Sequence, residues 1–353
     1  MANNSFYQNS DVLDVAMGSF SGMAGADIKN KVKVSRQDKT FAVKAIFPYL
    51  SLTRFVSRGQ PFQQVVSELK SLERELNKPI EVILPSPQAS QLSGLSRVSA
   101  LGGAEHELGH ILIDMGGSYL PSESELRAKG FDKLLTKFQS HPKHDILKEN
   151  LHRWTNVLAD VRLERFMGVL YEPTRSRFHA IQTWVHDLEK DGRESGQMGL
   201  GGSVMCIIRD LGKGWNNPMQ QTVLKDYQKL YPQSWELATQ TKPIWSKVLP
   251  TDTCTEQDIK ASVHLPLFCA LELVMALADI MEKQPKKKGD GKDSKEGALS
   301  YGGKGRISDV HELNDGQALD PSSAMTKAVE QAESKLDHKV FYDSKMSERK
   351  VKL

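Results

Sequence analysis

The spacing of apolar and polar positions along this chain favours helices over strands. In QQVVSELKSLEREL, Val65, Val66, Leu69, Leu72 and Leu76 recur at helical intervals, and Pro61 fits the first turn. PIEVILPSP comes next. Its Ile80, Val82, Ile83, Leu84 run between prolines reads as one short strand, the clearest strand signal in the sequence. From Ala104 onward the period stays helical and places helices near 104–115, 122–139, 144–170, 173–190, 218–231 and 257–283. Gly116 and Gly117 are expected to close the first of these, and Asp252 or Thr253 to cap the last. The segment from Phe41 to Val56 is apolar and aromatic and leaves strand and short helix open. GLGG at Gly199–Gly202 echoes a phosphate loop, but no strand precedes it and no Lys-Ser/Thr follows. It reads as a turn before a buried helix.

The periodicity fades at both ends. The opening residues are rich in Asn, Ser and Gly, and residues 282–306 (EKQPKKKGDGKDSKEGALSYGGKGR) are dense in Lys and Gly and poor in apolar side chains. The expected organisation is therefore a loosely structured segment over 1–40, a helical domain over 41–281, a solvated linker over 282–306 and a polar, flexible tail over 307–353. Within that tail SSAMTKAVEQAESKL is the one helix candidate. The longest apolar stretch, His264 to Met281, is interrupted by Glu272 and Asp279, so a buried helix fits it better than a membrane span.

Composition narrows the function classes. Of 353 residues 39% are hydrophobic and 26% charged, which is enough for a real core. Lys plus Arg (47) against Asp plus Glu (44) leaves a net charge of +3, too mild to make nucleic acid the main partner. Lys286, Lys287 and Lys288 have acids interleaved around them. Cys206, Cys254 and Cys269 are far apart and form no CxxC pair. With no basic start followed by an apolar run at the N-terminus, the expected setting is the reducing cytoplasm.

The chemistry concentrates in AEHELGHILI, residues 104–113, where His106, Glu107 and His110 form HExxH. On a helix, positions i and i+4 project from one face about a turn apart, so both imidazoles can reach one Zn²⁺ at roughly 2.0–2.1 Å. Glu107 sits about 100° further round, placed to take a proton from an attacking water and to deliver it to a leaving amine. Random placement gives this pattern about 0.02 times in a chain with 10 His and this many Glu. Gly109 costs about 1 kcal/mol relative to Ala inside a helix, which implies that another backbone packs close to it.

A catalytic zinc needs a third protein ligand and an open position. In NLHRWTNVLADVRLERFM, His152, Asn156, Asp160 and Glu164 recur every four residues as one polar line on an otherwise apolar helix. Burying such a line without partners is expensive, and a metal would supply the partner. Asp160 is the expected ligand, with Glu164 holding a ligand histidine through its second nitrogen. The reverse assignment, and a plain salt bridge to Arg162, Arg165 or Lys148, stay open. Arg162 and His179 are candidates for stabilising an oxyanion. His141, His144, His186, His264, His311 and His338 have no comparable spacing.

HELGHIL followed some fifty residues later by NVLADVRLER resembles the zincin metallopeptidases with an acidic third ligand. More narrowly, it resembles phage and bacterial proteins that join a helical HExxH region to a helix reading N-x-L-E-D-x-R-x-E and then to a von Willebrand factor A domain. The cobalt-chelatase T subunit is similar in its later part. Asn156, Leu158, Asp160, Arg162 and Glu164 match that helix, whereas Ala159 replaces a Glu. HKVFYDSKMSERKVKL looks like the run-in to an A domain, yet no Asp-x-Ser-x-Ser signature follows it. The resemblance implies a mainly α, zincin-like core with at most a small β element, acting on peptide or protein as a zinc-dependent peptidase. The alternative it implies, ranked second, is a non-catalytic, zinc-containing adaptor or scaffold for a MoxR-type AAA+ ATPase.

Overall fold

The structure is a computed structural model that describes residues 32–37, 42–44, 47–73, 79–85, 96–115, 120–196 and 198–283. It is mainly helical. The expected linker, the polar tail with its helix candidate, Lys286–Lys288 and the Gly116–Gly117 stop all lie outside the described residues.

The β element is larger than the one strand read from the sequence. β1 (Val32–Gln37), β2 (Ala42–Lys44) and β3 (Ile80–Pro85) form a sheet in the order β1-β3-β2, with β1 parallel and β2 antiparallel to β3. Val32 pairs with Ile80 and Val43 with Val82. The predicted strand is thus the central one, and Ile80 and Val82 are both buried. β1 falls inside the segment expected to be loosely structured. Its partner lies more than forty residues away, so no local signal marks it. The ambiguous stretch after residue 41 supplies both elements it left open, β2 and then α1 (Leu52–Ser57). α2 (Phe62–Ser71) follows and buries Val65, Val66 and Leu69.

Helix α3 (Arg97–Ile113) begins seven residues before the periodicity suggested, because the Ser96 hydroxyl accepts from the Ser99 N–H and caps it. The helix expected over 122–139 is two, α4 (Glu123–Ala128) and α5 (Phe131–Gln139). They are separated by Gly130, whose φ of 77° is left-handed. α6 (His144–Leu170) and α7 (Glu172–Glu194) are long; α8 (Leu200–Lys213) is the expected buried helix, but GLGG is not a turn before it, since Gly199 is its N-cap and Leu200, Gly201 and Gly202 form its first turn. α9 (Pro218–Leu230), α10 (Pro232–Gln240) and α11 (Lys242–Trp245) lead to α12 (Glu256–Ser262) and α13 (Leu265–Lys283). The last two were expected as one helix. They bend by 45° at a short break, and the cap is neither Asp252 nor Thr253 but Thr255, in a capping box with Asp258. No single described helix is long and apolar enough to cross a membrane.

α6 is the hub, touching α1, α3, α7, α8 and α13, while α3 lies along α7. Gly102 makes that second approach possible: a Cβ there would collide with the Arg177 carbonyl oxygen. The close backbone inferred at Gly109 is therefore found at Gly102 instead. What faces Gly109 is the Leu163 side chain, 3.2 Å from where a Cβ would stand. A small apolar cluster of Ile113, Leu163, Phe166, Phe178 and Trp215 packs α3, α6 and α7 together. The two polar faces of α3 and α6 meet beside it.

Candidate metal centre

α3 carries Glu105, His106, Glu107 and His110, with Asp114 as its C-terminal cap residue. α6 carries Asp160, Arg162 and Glu164. His106 Nε2 lies 3.6 Å from Asp160 Oδ1 and His110 Nε2 lies 3.5 Å from the same oxygen. The ligand atoms of these three residues fall within 4.8 Å of one another. Two ligands bound at 2.0–2.1 Å to one tetrahedral ion stand about 3.3 Å apart, whereas an N–H···O hydrogen bond spans about 2.7–3.2 Å. The observed spacing is that of a coordination edge rather than a hydrogen bond. His110 Nε2 and Asp160 Oδ1 are buried with no hydrogen-bond partner, a costly state that a cation between them would relieve. Two imidazoles and a carboxylate suit Zn²⁺, and also other divalent first-row cations.

The outward nitrogens of both rings are held by carboxylates. His106 Nδ1 lies 3.2 Å from Glu164 Oε1. That oxygen also accepts from Lys213 Nζ at 2.6 Å, and Glu164 Oε2 accepts from Trp215 Nε1 at 3.3 Å. His110 Nδ1 meets Asp114 Oδ2 at 2.5 Å, and Asp114 Oδ1 accepts from Arg162 Nη1 at 2.8 Å. Engaging Nδ1 in this way turns Nε2 of each ring toward Asp160. Glu164 and Asp114 each have a Lys or Arg partner. Among the described residues Asp160 ion-pairs only with the two rings and has no Lys or Arg partner.

Electrostatics follow from this layout. Burial works against charging His106, but the carboxylates of Asp160 and Glu164 outweigh it and push the ring up to about 10. His110 rises to about 9, again against burial, through Asp114 and Asp160. Burial would raise Asp160, yet the two rings hold it below the usual carboxylate range. Glu164 is likewise held low against burial, by Lys213 and His106. Metal-free, the centre holds protons on the rings. Glu105, ion-paired with Arg177, is pushed by burial up to about 7.

The polar line on α6 divides. Asp160 and Glu164 meet the histidines, while Asn156 Nδ2 lies 3.4 Å from His152 Nε2 one to two turns away. Burial, helped by Arg153, lowers His152 to about 4. Glu107 is 1% exposed and follows His106 directly on α3. The salt-bridge alternatives resolve elsewhere: Lys148 pairs with Asp145, Arg165 donates to the Lys213 carbonyl, and Arg162 pairs with Asp114. With its donors spent, Arg162 is no oxyanion partner. His179 packs edge-on against Trp215 at 5.0 Å. Asp114, Lys213 and Trp215 escaped the sequence reading. Asp114 had a signal, since it extends the i, i+4 series of His106 and His110 by one more step. Lys213 and Trp215 had none, being 49 and 51 residues from Glu164.

Neither the profiles of known protein families, nor the curated proteins, nor the solved structures contain a match to this chain.

Proposed function

We propose that this chain is a metal-dependent hydrolase of the metallopeptidase type, with His106, His110 and Asp160 as the ligands of a zinc ion and Glu107 as its proton carrier. The observation that carries this reading is the convergence of two buried, hydrogen-bond-free ligand atoms, His110 Nε2 and Asp160 Oδ1, with His106 Nε2. His106, His110 and Asp160 would hold a divalent cation, which would supply the Lewis acidity to polarise a scissile carbonyl and acidify water.

The chain's own residues do the rest. Glu164 and Asp114 keep the two imidazoles in the tautomer that presents Nε2. Glu107, buried and next to His106 along α3, would accept a proton from water as the new C–O bond forms. It then returns that proton to the amine nitrogen as the C–N bond breaks.

The test is metal content of the purified full chain followed by Glu107→Gln. One equivalent of zinc and peptide hydrolysis are expected in the wild type. The variant should keep the zinc and lose hydrolysis by about 10²–10⁴-fold. Zinc without turnover on any peptide would favour the adaptor reading, and a metal-free protein would end both.

A further inference from the structure

Arg162 is fully buried, and every one of its five N–H groups has an acceptor. Nη1 donates to Asp114 Oδ1 at 2.8 Å and to the Ile113 carbonyl at 3.0 Å. Nη2 donates to the Ile259 carbonyl at 2.6 Å and to Ser262 Oγ at 3.0 Å, and Nε reaches the same hydroxyl at 3.3 Å. Its guanidinium also lies 5.0 Å over the Phe166 ring. One side chain on α6 thus grips the last residue and the cap residue of α3 together with the end of α12. Ile113 is the terminal residue of α3, where helical carbonyls lack partners and a cation is favoured.

The branch that holds His106 is built differently. Glu164 takes a rotatable ammonium from Lys213 on Oε1 and the Trp215 indole N–H on Oε2, both from the end of α8 or just after it. Arg162 gives Asp114 one bond only, but its planar guanidinium is itself fixed by the Ile113 and Ile259 carbonyls and by Ser262, so the direction of that bond is set as a rotatable ammonium's is not. From this we propose that Arg162 is a positioning residue for the metal centre: through Asp114 it fixes the orientation of His110, and through Ile259 and Ser262 it ties that orientation to α12. The inference rests on the metal-centre reading above.

The test uses the full chain and five variants: Asp114→Asn, Arg162→Met, Lys213→Met, the Asp114/Arg162 double variant and the Asp114/Lys213 double variant. Zn²⁺ affinity is read by competition with a chromophoric chelator, geometry by the visible bands of the Co²⁺-loaded protein, and folding by far-UV circular dichroism of the metal-free protein. Asp114→Asn is expected to keep the helical spectrum, shift the cobalt bands and weaken zinc on the order of 10–100-fold. Arg162→Met should do the same, and the Asp114/Arg162 double variant should be no worse than the weaker single, since both act through one chain of contacts. Losses from Asp114→Asn and Lys213→Met should add, because they act on different rings.

Additive losses in the Asp114/Arg162 pair, or unshifted cobalt bands, would overturn the proposal. Should Arg162→Met not fold, Arg162→Lys takes its place: it keeps the charge without the fork and should still weaken zinc and shift the bands, while unchanged affinity refutes the role. A wild-type chain that binds neither Zn²⁺ nor Co²⁺ sinks the metal centre itself. Normal binding in wild type and variants alike sinks only the positioning role.

Discussion

His110 Nε2 and Asp160 Oδ1 face each other across 3.5 Å, on different helices, and neither makes a hydrogen bond. Side chains free to choose would close that gap or turn to other partners. Here Asp114 holds the ring from behind and the packing of α6 holds the carboxylate, so the gap persists, and with His106 it could hold a cation.

Asp160 and Glu164 are therefore expected to differ sharply on neutralisation. Asp160→Asn removes the proposed ligand and should leave less than one equivalent of zinc after dialysis. Glu164→Gln leaves an acceptor for His106 Nδ1 and should keep one equivalent with affinity lowered on the order of 10–100-fold. Metal analysis and chelator competition separate the two, and the opposite ranking would exchange their roles.

Proton and metal compete at the two rings. His106 and His110 are raised to about 10 and about 9 in the metal-free centre, so zinc binding should release protons and tighten as pH rises from about 6 toward 9. Folding of the metal-free chain runs the other way. A folded-state pKa above the unfolded value of about 6.5 contributes stability that is full below 6.5 and is lost as pH climbs through 9 and 10. Melting midpoints with and without zinc should consequently diverge between pH 6.5 and 9. Parallel midpoints across that range would contradict the assignment.

Glycines on α3 offer a packing test. Gly102→Ala drives a Cβ into a backbone carbonyl of α7 and should destabilise by about 1–3 kcal/mol as overpacking does. Gly109→Ala meets only the end of Leu163 and gains about 1 kcal/mol of helix propensity, so its net effect should be small. Urea denaturation of both variants measures the difference.

The HExxH pair, its helix and the two acids facing it, Asp160 and Glu164, were readable from the chain, because i, i+4 spacing within one helix is a local property. So was the mainly helical class, since the 3.6-residue period repeats over long segments. Even Asp114 lay one step along the same series.

Other features are not marked by the apolar period, and several were set by contacts between residues distant in sequence. Gly130 and the Val263–His264 break split helices whose apolar period runs straight through them. β1 found its partner more than forty residues away. Lys213 and Trp215 reached Glu164 from the end of α8. Local pattern decides which side chains share a face of a helix. Only the packing of one helix on another, here through Gly102 against Arg177 and Gly109 against Leu163, decides which acid on α6 points at the two rings and which is left to hold one of them.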